Sequence, residues 1–86
     1  MQTIKSIMSK YFNEISIEEL IDCFERVKDN GDVGFIKFDG ARMTNHYTVC
    51  ITTPTLQWDM IRADESTLKV ALIKVLAKYV EVKATA

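Results

Sequence analysis

Residues 16–31 carry both a start and a stop signal, and these fix one helix before anything else in the chain is considered. Ser16 and Glu19 have the S-x-x-E spacing of a capping box: the serine oxygen takes the amide of the third helical residue, and the glutamate reaches back to the cap. Ile15 before the cap and Leu20 four residues into the helix have the spacing of a hydrophobic staple. Asn30-Gly31 supplies the stop, because glycine enters the left-handed turn without steric cost. The helix therefore covers about 17–29, with Ile17, Leu20, Ile21, Phe24 and Val27 expected to face a core.

Before it, Ile4, Ile7, Met8, Tyr11 and Phe12 recur at helical spacing, which predicts a short amphipathic helix over 2–12, ended by Asn13. It is too short to persist alone and must dock on the rest of the chain. After it, DVGFIKF and ARMTNHYTVCITT flank Asp39-Gly40, a hairpin signal that leaves either a tight two-residue turn or a loop from Asp39 to Asn45. In the second run Met43, Tyr47, Val49 and Ile51 alternate with Arg42, Thr44, His46, Thr48, Cys50 and Thr52, so one face is apolar and the other largely polar. Pro54 closes that strand or marks an edge, and the alternation of Leu56, Trp58 and Met60 predicts a third strand over 56–62.

Asp64 or Ser66 is placed to cap a last helix that runs to about Glu81. Leu68, Leu72, Val75, Leu76 and Tyr79 form one apolar arc of it, and Val70, Ile73, Ala77 and Val80 form a second beside it. A sheet covers only one of them, so the first helix, a second subunit or a partner is needed for the other. The order α-α-β-β-β-α predicts an α+β two-layer sandwich, with a three-stranded antiparallel meander and helices on one face. At 86 residues the chain makes a single domain over 1–86, read as a docking helix in 1–13 and an αβββα core in 14–82.

Composition narrows the classes of function. With 48% hydrophobic and 27% charged residues, three Gly and one Pro, the chain is neither disordered nor collagen-like. No apolar run approaches a membrane span, and the start MQTIKSIMSKYF lacks a continuous apolar region with a cleavage site. Cys23 and Cys50 are too few and too embedded in regular structure for a disulfide scaffold; they read as reduced thiols of a cytoplasmic protein.

Catalytic patterns are weak. His46 is the sole histidine, and Cys50 on the same strand face lies four residues away, about 13 Å along an extended chain, beyond direct contact. One His and two separated Cys do not make a tetrahedral metal set, and Gly31, Gly34 and Gly40 do not form a phosphate loop. No enzyme and no cofactor are expected.

Charge is distributed unevenly behind a net −1. Residues 14–39 hold eight carboxylates against three cations, a net −5. Glu18, Asp22, Glu25 and Asp29 fall at i, i+4, i+7 and i+11, within about 60° of arc on the helix. Such a stripe is either a solvated face or an acidic ridge that docks on a basic surface. Trp58 in LQWDMIRAD is a core residue or an apolar anchor. Val33 and Phe35 point away from Ile36 and Phe38, and leave apolar surface on the far side of the sheet if the helices cover only one face.

The helix-strand-strand-strand-helix order of residues 17–81 resembles the double-stranded-RNA-binding domain. That family reads RNA with a basic start to its last helix. Here the matching stretch is Ala63-Asp64-Glu65-Ser66-Thr67, acidic instead, and the glycine-proline-histidine turn is absent. The run QWDMIRADESTLKVALIKVLAKYV, an aromatic strand leading through a polar turn into an apolar last helix, resembles small phage-encoded α/β-sandwich domains of anti-defence, anti-CRISPR-like type. That resemblance implies inhibition of a host machine by occupying a surface.

The function expected is thus a non-enzymatic protein-binding module, a phage-type inhibitor of a host defence or nucleic-acid-processing complex. Its partner would be a host protein or complex with a basic surface, met by Glu18, Asp22, Glu25 and Asp29 with Trp58 or the outer sheet face as apolar anchor. The alternatives are a structural homodimer packed through the last helix, and a nucleic-acid-binding αβββα domain using Arg42, Arg62, Lys69, Lys74 and Lys78.

Overall fold

Residues 1–54 and 59–84 are described by the computed structural model. Their elements follow the order α1 (Gln2–Met8), a 3-10 turn (Phe12–Glu14), α2 (Ile17–Asp29), β1 (Val33–Phe38), β2 (Tyr47–Thr52), β3 (Ile61–Glu65) and α3 (Leu68–Ala84). The fold is α+β, with a three-stranded antiparallel sheet in the order β1-β2-β3.

The start and stop signals of α2 are both realised. Ser16 N–H donates to Glu19 Oε1 at 2.9 Å, and Glu19 N–H donates to Ser16 Oγ at 3.1 Å, which closes the capping box. Ile15 and Leu20 are buried together in the core. At the other end Gly31 has φ +85°, its N–H donates to the Lys28 carbonyl, and Asp32 N–H donates to Val27. Those two bonds are the Schellman pair, and only a glycine takes that φ without strain.

The core lies between the helices and one face of the sheet. Val49 and Ile51 of β2 and Ile61 of β3 meet Leu20, Cys23 and Val27 of α2 and Ala71, Leu72, Val75, Leu76 and Tyr79 of α3. The helix α3 packs on β2 and β3, α2 packs on β1, and α1 packs on both α2 and α3. With α1 against α3, Leu68, Val70, Ile73 and Val80 are half-buried, and of the second apolar arc only Ala77 stays exposed. The wide apolar girth of α3 is therefore largely used within one chain.

Several expectations are corrected. The first helix ends at Met8, where Ser9 caps it and turns its hydroxyl onto the Ser6 carbonyl; Tyr11 and Phe12 leave the stripe and are exposed. On α2, Ile17 and Ile21 lie at the surface and Cys23 takes the core position, because the buried stripe runs through Leu20, Cys23 and Val27. Asp39-Gly40 does not form a tight turn: Asp39 N–H donates to the His46 carbonyl at 2.8 Å and closes the longer loop, in which Asn45 alone takes a positive φ.

The polar face of β2 is not solvated. Thr48 and Cys50 are buried because β2 is the central strand, flanked in register by Phe35 and Lys37 on β1 and by Arg62 and Asp64 on β3. The third strand begins at Ile61, five residues later than the alternation of Leu56, Trp58 and Met60 implies; 55–58 lie outside the described residues. Ile61 and Ala63 take its inward positions, so Asp64 belongs to the strand, not to a helix cap. The cap of α3 is Thr67, whose Oγ1 accepts the Val70 N–H at 3.3 Å.

Candidate binding surface

The acidic ridge exists as a surface feature. Glu18, Asp22, Glu25 and Asp29 are all exposed along α2. It is partly offset within the helix: Arg26 approaches Asp22 at 3.9 Å, and Lys28 lies 3.0 Å from Glu25 and 3.7 Å from Asp29. Such solvated pairs contribute little to stability. Trp58, one of the two expected apolar anchors, lies outside the described residues.

What the ridge borders is more informative than the ridge itself. On the helical wheel Phe24, Ile17 and Ile21 fall between the buried stripe and the four carboxylates. Ile17 and Ile21 are exposed, and Phe24 is half-buried with its ring over Gly34, where a Cβ would sit 2.9 Å from Cε2. The result is a groove of about 440 Å³ between α2 and β1, with Ile21, Phe24, Val33 and Ile36 as its apolar lining and Glu25, Lys28 and Asp32 as its polar lining.

Among the described residues, the outer border of this groove is an open strand edge. Asp39 N–H bonds to His46 one rung beyond the Phe38–Tyr47 pair, and antiparallel rungs alternate between bonded and non-bonded. Val33, Phe35 and Lys37 therefore bond to β2, whereas Gly34, Ile36 and Phe38 turn their N–H and C=O groups away from the sheet. Val33, Phe35 and Phe38 are 50%, 46% and 68% exposed, which bears out apolar surface at Val33 and Phe35 on the face opposite the helices. Phe38 packs edge-on against Tyr47, with ring centroids 5.3 Å apart.

Asp32 stands where the Schellman turn enters β1. Its Oδ2 accepts from the Tyr79 hydroxyl at 2.6 Å and lies 2.8 Å from Lys83 Nζ, while its buried Oδ1 has no hydrogen-bond partner among the described residues. Asn30 Nδ2 donates to the same tyrosine hydroxyl. Burial, and then the hydrogen bond donated to Asp32, push the Tyr79 hydroxyl above the ordinary tyrosine range.

The remaining candidates take structural places. Arg42 reaches Asp64 at 2.8 Å, Arg62 reaches it at 3.0 Å, and the Thr48 hydroxyl donates to it too. These bonds hold the Asp64 carboxyl well below the usual carboxylate range. Lys74 pairs with Glu65, Lys78 with Glu81, and Lys69 lies 4.3 Å from the Phe12 ring centroid. The five cations considered for nucleic acid are thus each engaged within the chain. Burial pushes the Cys23 thiol up to about 11 and raises Cys50 as well, which favours the protonated thiol at both. No cluster of metal-ligating side chains occurs among the described residues. No described helix is long and apolar enough to cross a membrane.

No protein family, curated protein or solved structure matches this chain.

Proposed function

We propose that the protein is a non-enzymatic binding module that modulates a larger protein assembly by occupying a basic surface on it. The observation that carries this is the adjacency on α2 of four exposed carboxylates and the exposed Ile17 and Ile21. An acidic ridge beside apolar surface combines steering with burial: the charges accelerate encounter, and the isoleucines are the area removed from water. A phage-type inhibitor acting by occlusion fits the same surface, since it needs affinity and no chemistry.

The test is capture from a bacterial lysate with tagged protein, run beside an Asp22→Lys/Glu25→Lys double variant. The expected result is a stoichiometric protein partner held by the native chain and lost by the variant, with an association rate that falls as salt rises. Retention of the partner by the variant, with unchanged salt dependence, would reduce the ridge to solvated helix surface. Sedimentation at micromolar concentration, expected to give a monomer, separates this function from a homodimer packed through α3.

A further inference from the structure

The two edges of the sheet are built differently. At β3 the edge is crowded with paired charge: Arg62 with Asp64, and Glu65 with Lys74, in a groove also lined by Asp59, Lys78 and Glu81. Charged edges of this kind are how sheets avoid pairing with other chains. The β1 edge, Val33-Gly34-Phe35-Ile36-Lys37-Phe38, has a single charge, Lys37, and that is drawn to Asp39 at 3.2 Å. Gly34, Ile36 and Phe38 offer outward N–H and C=O groups on a strand whose side chains are apolar on both faces. The adjoining groove holds a second unmet group, since Asp32 lines it and keeps a buried Oδ1 without a donor among the described residues.

Charge selects among occupants. A second copy pairing antiparallel through β1 would continue the sheet with both helical layers on one face. Two α2 ridges would then lie side by side, and like charges so placed repel. A cationic segment meets the ridge with opposite sign instead. We infer that the β1 edge accepts an extended, basic segment of a partner protein as a fourth strand. Residues of that segment on the rungs of Gly34, Ile36 and Phe38 share their face with the groove. Lysine or arginine there lays its methylenes over Ile21 and Ile36 and brings its charge to Glu25, in competition with Lys28, which lines the same groove and pairs with that carboxylate. The alternate residues fall beside Val33 and Phe35 and are apolar. This inference rests on the ridge being a binding surface, as proposed above.

The probe is a short, end-blocked peptide alternating lysine and valine, titrated into the full-length protein while amide hydrogen exchange is followed. The expected result is saturable binding that slows exchange at Gly34, Ile36 and Phe38 by roughly fivefold or more, the equivalent of about 1 kcal/mol per bond. Phe35 and Lys37, already bonded to β2, change less. Backbone N-methylation at the lysines abolishes the protection, whereas N-methylation at the valines leaves it. Binding that survives N-methylation at the lysines, with the three amides unchanged, would show cations held by the ridge without strand addition; that overturns this inference and leaves the proposed function standing. No saturable binding overturns it too, while the lysate capture judges the ridge separately. Protection of the three amides in free protein that grows with concentration would assign the edge to a second copy, against the inference.

Discussion

Replacing Lys83 with methionine tests the node that joins the end of α3 to the turn before β1. The Asp32 side chain is 0% exposed, and its Oδ2 depends on Lys83 Nζ and the Tyr79 hydroxyl. Removing one partner of a buried pair costs about 3–5 kcal/mol, because the other charge is left uncompensated. Here Lys83 is 18% exposed and Tyr79 goes on donating, so Lys83→Met is expected to cost about 2–3 kcal/mol. Asp32→Asn removes the other partner and should cost less, about 1–2 kcal/mol. The amide oxygen still accepts from Tyr79, and the lysine stem lets its ammonium turn to water. The order of the two losses follows from which group can reach solvent.

The double variant should then be close to Asp32→Asn alone, a coupling of about 2–3 kcal/mol. Urea unfolding followed by circular dichroism measures all three. With a slope of about 1 kcal/mol per molar urea, Lys83→Met moves the midpoint down by about 2–3 M. A chain of this length has roughly 4–13 kcal/mol of stability, so the variants stay folded in buffer. Additive losses, or a larger loss from Asp32→Asn than from Lys83→Met, would refute the account of Asp32 as a buried carboxyl held by a solvent-reaching lysine.

Other outcomes follow from packing and charge. Gly34→Ala gains about 0.5–1 kcal/mol from the stiffer strand residue but crowds the Phe24 ring, costing about 1–3 kcal/mol; it should destabilise the native chain and stabilise a Phe24→Ala background, a sign change readable in urea. Asp64→Asn should be less stable than the native chain at pH 7. Because the Asp64 carboxyl is held below its unfolded value, its contribution is complete above about pH 4 and fades as pH falls through the folded value, so the gap between the two proteins closes on acidification. A gap independent of pH would dissociate Asp64 from its arginines. Cys23, raised to about 11 by burial, should resist iodoacetamide at pH 8 in native protein and label only as urea unfolds it; mass spectrometry of native samples showing rapid labelling would contradict that burial.

The fold was legible where the sequence encodes local bonds. A capping box, a staple and a Schellman glycine involve residues within a few positions of each other, so Ser16, Glu19, Ile15, Leu20 and Gly31 carry their geometry in their spacing. Burial was less legible. Ile17 and Cys23 are both compatible with an inward face of α2, and the angle at which β1 and α3 meet the helix decides between them. Thr48 and Cys50 look like a solvent face by alternation, yet flanking strands bury them on both sides. The shift of β3 has a similar cause: Leu56, Trp58 and Met60 alternate as well as Ile61 and Ala63 do. Asp64 favours the latter frame because Arg42 and Thr48, distant in sequence, are waiting for it.

The candidate surface divides along the same line. The ridge of Glu18, Asp22, Glu25 and Asp29 follows from helical spacing alone and needs only the helix to exist. The strand edge does not, because VGFIKF, apolar on both faces, is the pattern of a strand buried in the middle of a sheet. Periodicity reports which way side chains point and is silent on what lies beside the backbone. Only the topology β1-β2-β3 puts that strand at the margin, with Gly34, Ile36 and Phe38 turned outward beside the helix that carries the charge. A central-strand sequence in an edge position lacks the paired charge that β3 carries, and the proposed fourth strand would cover it. On that proposal, the ridge along α2 would set the sign of the charge the fourth strand bears.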